Sequence, residues 1–179
     1  QYSASIVVEI PEPIRSQIQS IREFLGTVTA KLPVEITVAG SSGLGYIPVG
    51  TNLSIIISEI DRIFPEYMPF EVSFSEIRLF PNTSTYYLAP FDRKLFDSIH
   101  HALRMSSIPF ADSPLPYTPH CTLCDGKILN HGEIDNIFSL SFPREPFLID
   151  TVALYDLPFY DPIEGICDCN LLYKKTINS

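Results

Sequence analysis

No apolar run in this 179-residue chain approaches the ~20 residues that a membrane-spanning helix needs, so no membrane partner is expected. Basic residues are also scarce. Twelve Lys and Arg stand against 21 Asp and Glu, a formal charge of -9 that repels a polyanion at long range and excludes a general binder of long nucleic acid. Any phosphate partner has to be held locally. The stretch from Gln1 to Ile10 lacks a basic segment ahead of an apolar one and does not read as a secretory signal. Cysteine occurs only at 121, 124, 167 and 169, too few in a chain of this length to need a disulfide framework, and a reducing cytoplasm is the expected location.

What is present is a core. Forty-five per cent of the residues are apolar and 12% aromatic, too many for a disordered chain, while 16 prolines interrupt the sequence too often for a helical bundle. The length suits one domain over residues 1–179, with room for two lobes. Ser5 to Ile10 is β-branched, and Pro11 and Pro13 then open a helix with Ile14, Ile18, Ile21 and Leu25 on one face and Gly26 as its stop. Pro33 to Val38 reads as a strand running into the glycine-rich loop 40–45. A second helix starts at Thr51 or Asn52, and Pro65 ends it. Phe70 to Phe80 alternates as a strand that changes phase near Ser75, which predicts a bulge. Thr85 to Leu88 is a further strand. A third helix over Asp92 to Met105 is expected to bury Leu95, Phe96, Ile99, Ala102 and Leu103, leaving His100 and His101 exposed. A proline-rich approach delivers a strand His120 to Cys124. Asn130 and Glu133 sit at the N-cap and N3 positions of a short helix that starts at an exposed His131. Phe147 to Leu154 and Leu171 to Thr176 close the chain as strands. Strands and helices interleave with long returns, an α+β pattern.

Two of the strands share a grammar. Pro33-Val-Glu-Ile-Thr-Val38 and Pro119-His-Cys-Thr-Leu123 each place a titratable residue two positions before a threonine. Strand period two puts Glu35 with Thr37, and His120 with Thr122, on a common face, while Ile36, Val38, Cys121 and Leu123 point the other way. That arrangement brings a proton-transfer group and a hydroxyl donor to one phosphate from the same side. Its repetition points to two lobes facing a shared cleft.

These motifs, with PFEVSFSEIRLFPNTSTYYLAP and most specifically PYTPHCTLC, make the chain resemble the two-histidine phosphoesterase superfamily of 2'-5' RNA ligase-like proteins and cyclic phosphodiesterases. The resemblance implies a bilobal α+β fold, two small antiparallel-rich sheets facing a central cleft with helices outside. It implies a phosphodiesterase acting on a 2',3'-cyclic nucleotide or an RNA end, with the motif residues as general acid and base and the threonines on phosphate oxygens. PHCTLC is similar to the second His-x-Thr element; at the first, the family's histidine is replaced by Glu35. His120 would then protonate the leaving oxygen and Glu35 activate water. An ionised Glu35 repels the phosphate that an imidazolium attracts, so the alternatives are altered or weak activity and a catalytically silent domain that binds a nucleotide, an RNA end or a protein. Tyr86 and Tyr87 stand where relatives place residues near the ligand, and alternation directs one of them to the cleft and the other to the core. Neither cofactor nor metal is expected.

Each signal has a plainer reading. Glu35 is equally at home as a solvent-facing strand carboxylate, and a histidine at a strand start is commonly just polar. The glycine loop lacks the Lys-Ser/Thr ending of a phosphate-binding loop and reads as a mobile cleft edge. Cys121, Cys124, Cys167 and Cys169 invite a zinc site, but residues three apart in a strand face opposite sides. Lys31, Arg78 and Lys127 are the candidate cations for the cleft.

Overall fold

In the computed structural model, residues 4–126 and 129–178 are described. In chain order the elements are β1 (Ala4–Glu9), α1 (Ile14–Leu25), β2 (Glu35–Ala39), α2 (Leu53–Ile63), β3 (Phe70–Val72), β4 (Phe74–Leu79), β5 (Tyr86–Pro90), α3 (Lys94–Arg104), β6 (Cys121–Cys124), α4 (His131–Phe138), β7 (Phe147–Ile149), β8 (Thr151–Asp161) and β9 (Ile166–Thr176). All pairings are antiparallel. The order β2-β1-β8-β9 makes a four-stranded sheet and β4-β5-β6 a three-stranded one; a short ladder, β3-β7, adds to the two sheets expected. The architecture is α+β, as the interleaving predicts.

Local signals set most boundaries. Gly26 takes the left-handed conformation that ends α1 (φ 68°), and its N–H bonds to the Arg22 carbonyl. Asn52 caps α2 by accepting from the Ser54 N–H, and Ile56, Ile60 and Ile63 form its buried stripe. Asn130 and Glu133 form a reciprocal capping box on α4. The change of phase near Ser75 is a register shift between Phe74 and Glu76 against β5.

Several details differ from expectation. The strand read over Phe70 to Phe80 is divided at Ser73: β3 pairs with β7, whereas β4 pairs with β5 in the three-stranded sheet. Phe147 to Leu154 is divided at Asp150: β7 pairs with β3, whereas β8 joins β1 in the other sheet. Both pieces are short runs of strand-forming residues, so the sequence pattern alone does not mark the change of partner. The last strand begins at Ile166 rather than Leu171, because β8 and β9 form a long two-stranded arm. On α3 the buried face is Phe96, Ile99, His100 and Leu103; Leu95 is 40% exposed.

One hydrophobic cluster joins residues from Ala4 to Ile177. Fully buried side chains such as Ile6, Ile18, Ile36, Phe64, Leu88, Phe96 and Leu103 each contribute about 1.5–3 kcal/mol by leaving water. The helices cross over: α1 packs on β6 of the three-stranded sheet, and α3 packs on β2 of the four-stranded sheet. Among the described residues no helix is long and apolar enough to cross a membrane.

Candidate functional site

β2 and β6 obey the period-two reading. Ile36, Val38, Cys121 and Leu123 are fully buried, while Glu35, Thr37, His120 and Thr122 are half-buried and line one cleft of about 670 Å³ between the sheets. All four expected motif residues therefore meet in a single cavity. Tyr87 lines it too, but Tyr86 does not: its ring meets Phe138 of α4 edge-on, 5.7 Å between centroids, on the far side of β5. Consecutive strand residues face opposite ways, so the cleft takes only the second tyrosine.

His120 is held by a short bond, Nδ1–H donating to the Thr118 carbonyl at 2.7 Å, which fixes the ring and leaves Nε2 without a protein partner among the described residues. Phe80 stacks on Tyr87 at 4.2 Å between centroids, and both rings meet the imidazole edge-on, at 4.9 and 5.4 Å. Burial pushes the His120 pKa below its ordinary value, against the opposing pull of the Thr118 carbonyl and Asp125.

Glu35 is pushed the other way. Burial raises its carboxyl from the ordinary 4.5 to about 7, although the Arg22 charge and the Thr37 hydroxyl both favour the ionised form. Thr37 Oγ1 lies 3.1 and 3.3 Å from the two carboxylate oxygens and donates there, so it is not free for a ligand while Glu35 is ionised. The Thr122 hydroxyl has no such engagement among the described residues.

Two buried side chains hold the motif strands from behind. Arg22, 1% exposed, reaches from α1 to donate from Nε to the Thr122 carbonyl (2.9 Å) and from Nη1 to the carbonyls of Leu32 (3.0 Å), Pro33 (3.0 Å) and Thr29 (3.3 Å). The spacing Ile14, Ile18, Arg22, Leu25 places it on the apolar face, where Ile21 is expected from the sequence instead. His100, expected exposed, is buried: Leu44 N–H donates to Nε2 at 3.2 Å, so Nδ1 carries the proton given to the Val38 carbonyl at 2.7 Å. Its ring stacks on Tyr117 at 3.9 Å, and Tyr117 in turn donates to the Thr37 carbonyl.

The glycine loop is correspondingly tied down rather than a loose edge. Gly40 N–H bonds to Leu44 O, Gly43 N–H bonds to Leu115 O, and Gly45 lies so close to the Ala111 carbonyl that a Cβ would sit 1.8 Å from its oxygen. Gly40, Ser41 and Ser42 form part of the cleft wall. A second carboxylate, Asp125, also faces the cleft and accepts from the hydroxyls of Thr85 and Tyr160, both at 2.8 Å. It was not anticipated; Tyr160 comes from the β8–β9 arm, far along the chain.

The candidate cations are elsewhere. Lys31 donates to the Gly165 carbonyl, Arg78 pairs with Glu76 at the surface, and Lys127 lies outside the described residues. No described Lys or Arg lines the cleft. Cys121 and Cys124 lie in β6, and Cys167 and Cys169 in β9; among the described residues no three His, Cys, Asp or Glu side chains cluster as a metal site. Burial raises the Cys121 thiol to about 11.

Solved structures share this architecture. Escherichia coli LigT complexed with 3'-AMP superposes with a TM-score of 0.66 at 14% identity, covering 99% of each chain. LigT complexed with NADP+ gives 0.60 at 14%, covering 99% of this chain and 98% of that one. TT0787 of Thermus thermophilus gives 0.67 at 18%, covering 98% and 97%. No curated protein matches the chain in sequence. The 2'-5' RNA ligase superfamily profile matches residues 10–157, and with the fold and the paired motif strands in place, the chain belongs to that superfamily.

Proposed function

We propose that the cleft is a phosphodiesterase site that hydrolyses a nucleoside 2',3'-cyclic phosphate or the equivalent phosphodiester at an RNA end, with Glu35 standing where the superfamily's first motif carries histidine. The observation that carries this reading is the delivery of Glu35 with Thr37, and of His120 with Thr122, to one cavity by two like strands. The LigT complexes with 3'-AMP and NADP+ support a small nucleotide as the ligand class.

In the reaction a water oxygen forms the new bond to phosphorus and one ring P–O bond breaks. The water proton passes to a base, and an acid returns a proton to the leaving oxygen, yielding a phosphomonoester. The protonation states favour His120 as the base and Glu35 as the acid, the reverse of the order expected from the motifs. Near neutral pH the His120 Nε2 offers a lone pair, because burial disfavours the imidazolium, whereas Glu35, raised to about 7, retains a proton. Thr122 Oγ1 donates to a phosphate oxygen, and Tyr87 with Phe80 supplies a stacking surface for the base.

The test is hydrolysis of a panel of nucleoside 2',3'-cyclic phosphates and short 2'-5'-linked oligonucleotides in chelator. Activity abolished by His120→Ala supports the reading; no turnover, or turnover that survives the substitution, refutes it. Roles are separated with a p-nitrophenyl phosphodiester, whose leaving group needs no acid: Glu35→Gln should recover much of its loss there and His120→Ala should not.

A second reading, a binding domain without turnover, is favoured by the cleft's charge. Glu35 and Asp125 face it with no described Lys or Arg, and the loss of one donor to a developing oxyanion costs ~3–4 kcal/mol. Glu35→His tests this second reading in a wild type without turnover: a large gain in hydrolysis identifies a competent scaffold silenced by the natural residue, and no change means that other parts of the cleft are missing; turnover by wild type that His120→Ala abolishes refutes it.

A further inference from the structure

A buried guanidinium that meets only carbonyls and a thiol is costly unless its geometry is used. Arg22 directs Nε to β6 at Thr122 and Nη1 to the turn leading into β2 at Leu32 and Pro33, so one rigid fork spans the backbones of both motif strands. Nη2 lies 4.0 Å from Cys121 Sγ, the residue between His120 and Thr122. Pro33 and Glu35 are two residues apart, as are His120 and Thr122. The fork therefore grips each strand within two residues of a proton-transfer group, on the side away from the cleft.

We propose that Arg22 is a positioning residue of this site: its guanidinium fixes the separation of the Glu35 and His120 strands and supplies positive charge to the cleft from behind the sheet. Arginine suits this task because its donors are planar and pre-oriented; a lysine ammonium keeps the charge but cannot reach across both strands with one rigid group. The cleft wall holds no described cation of its own, and the Arg22 charge is the one that favours the ionised form of Glu35. Besides His120, which lines the same cleft and is positive when charged, the ionisable groups around Glu35 are Glu9 across the β1 ladder, Cys121 on β6, Tyr117 before β6, Tyr155 on β8 and Cys169 on β9, all negative in their charged forms.

The titration arm of the test needs no turnover and stands apart from the proposed reaction; only the kinetic arm rests on it. The Glu35 carboxyl is followed by carbon NMR in protein labelled at glutamate Cδ, its signal assigned with Glu35→Gln. In wild type the midpoint should lie near 7. Arg22→Gln, which removes the charge, should move it upward by about one unit. Arg22→Lys, which keeps the charge but loses the fork, should leave the midpoint within a few tenths of a unit and lower kcat on a cyclic phosphate about tenfold or more with KM little changed. An unmoved midpoint in folded Arg22→Gln overturns the electrostatic role. Wild-type kcat in Arg22→Lys overturns the positioning role, and that variant keeps the proposal testable if Arg22→Gln does not fold. A fall in thermal stability with neither change identifies a purely structural arginine.

Discussion

Replacing Glu35 by glutamine should stabilise the protein above neutral pH and leave it nearly unchanged in mild acid. The folded carboxyl titrates near 7, against 4.5 for an ordinary glutamate. Between these values the folded state holds a proton that the unfolded chain has released, so stability falls as pH rises through the window and is level above it. At about 1.4 kcal/mol per unit, the full window is worth about 3 kcal/mol, and residual water access to this half-buried group lowers that to about 1–3 kcal/mol. Glutamine imitates the protonated acid in size and carries no charge, so it avoids this loss. For a domain of this length each kcal/mol moves the melting temperature by about 2–4 °C, which gives Glu35→Gln an advantage of roughly 2–12 °C at pH 8 and little at pH 4.5. Paired thermal melts at the two pH values, read by circular dichroism, provide the measurement. Equal melting temperatures at pH 8 would refute the raised pKa and, with it, the use of Glu35 as an acid near neutrality.

His100→Leu removes the partner of both the Val38 carbonyl and the Leu44 N–H and should cost about 2–4 kcal/mol in urea unfolding at pH 7. Because burial lowers the His100 pKa, the same histidine should make wild type lose stability as pH falls below about 6.5, a slope that flattens in the variant. Gly45→Ala places a Cβ against the Ala111 carbonyl and should destabilise by more than about 2 kcal/mol in the same assay; a neutral result would mean that the loop is not held where it lies. Tyr87→Leu should weaken binding of a nucleoside monophosphate by about tenfold in calorimetry, whereas Tyr86→Leu, acting on the α4 side, should alter stability and leave affinity alone.

The motif strands were legible because alternation is a local rule: once Glu35-Ile-Thr and His120-Cys-Thr are strands, the faces of all six residues follow. Arg22 and His100 were not, for related reasons. A charged or polar residue on a helix is assigned to solvent by default, and the carbonyls that receive these two side chains belong to β2, β6 and the turn before β2. On α3 the apolar spacing points through Leu95, four residues before Ile99, whereas the buried face runs through His100. Asp125 was invisible because the hydroxyls that orient it come from Thr85 and Tyr160, 40 and 35 residues away. The division at Asp150 was hidden because the residues on both sides of it are good strand formers, and only the partner changes.

The exchange of helices between the sheets bears on how the chain can be cut. A break in the connection between α2 and β3 leaves one fragment with α1, whose seat is β6, and another with α3, whose seat is β2. β1 would also lose its neighbour β8. Neither fragment covers its own apolar surface, yet each carries what the other lacks. Separately they should be poorly folded, and mixed they should recombine into one cleft, so that recovery of its chemistry reports the meeting of the two polypeptides.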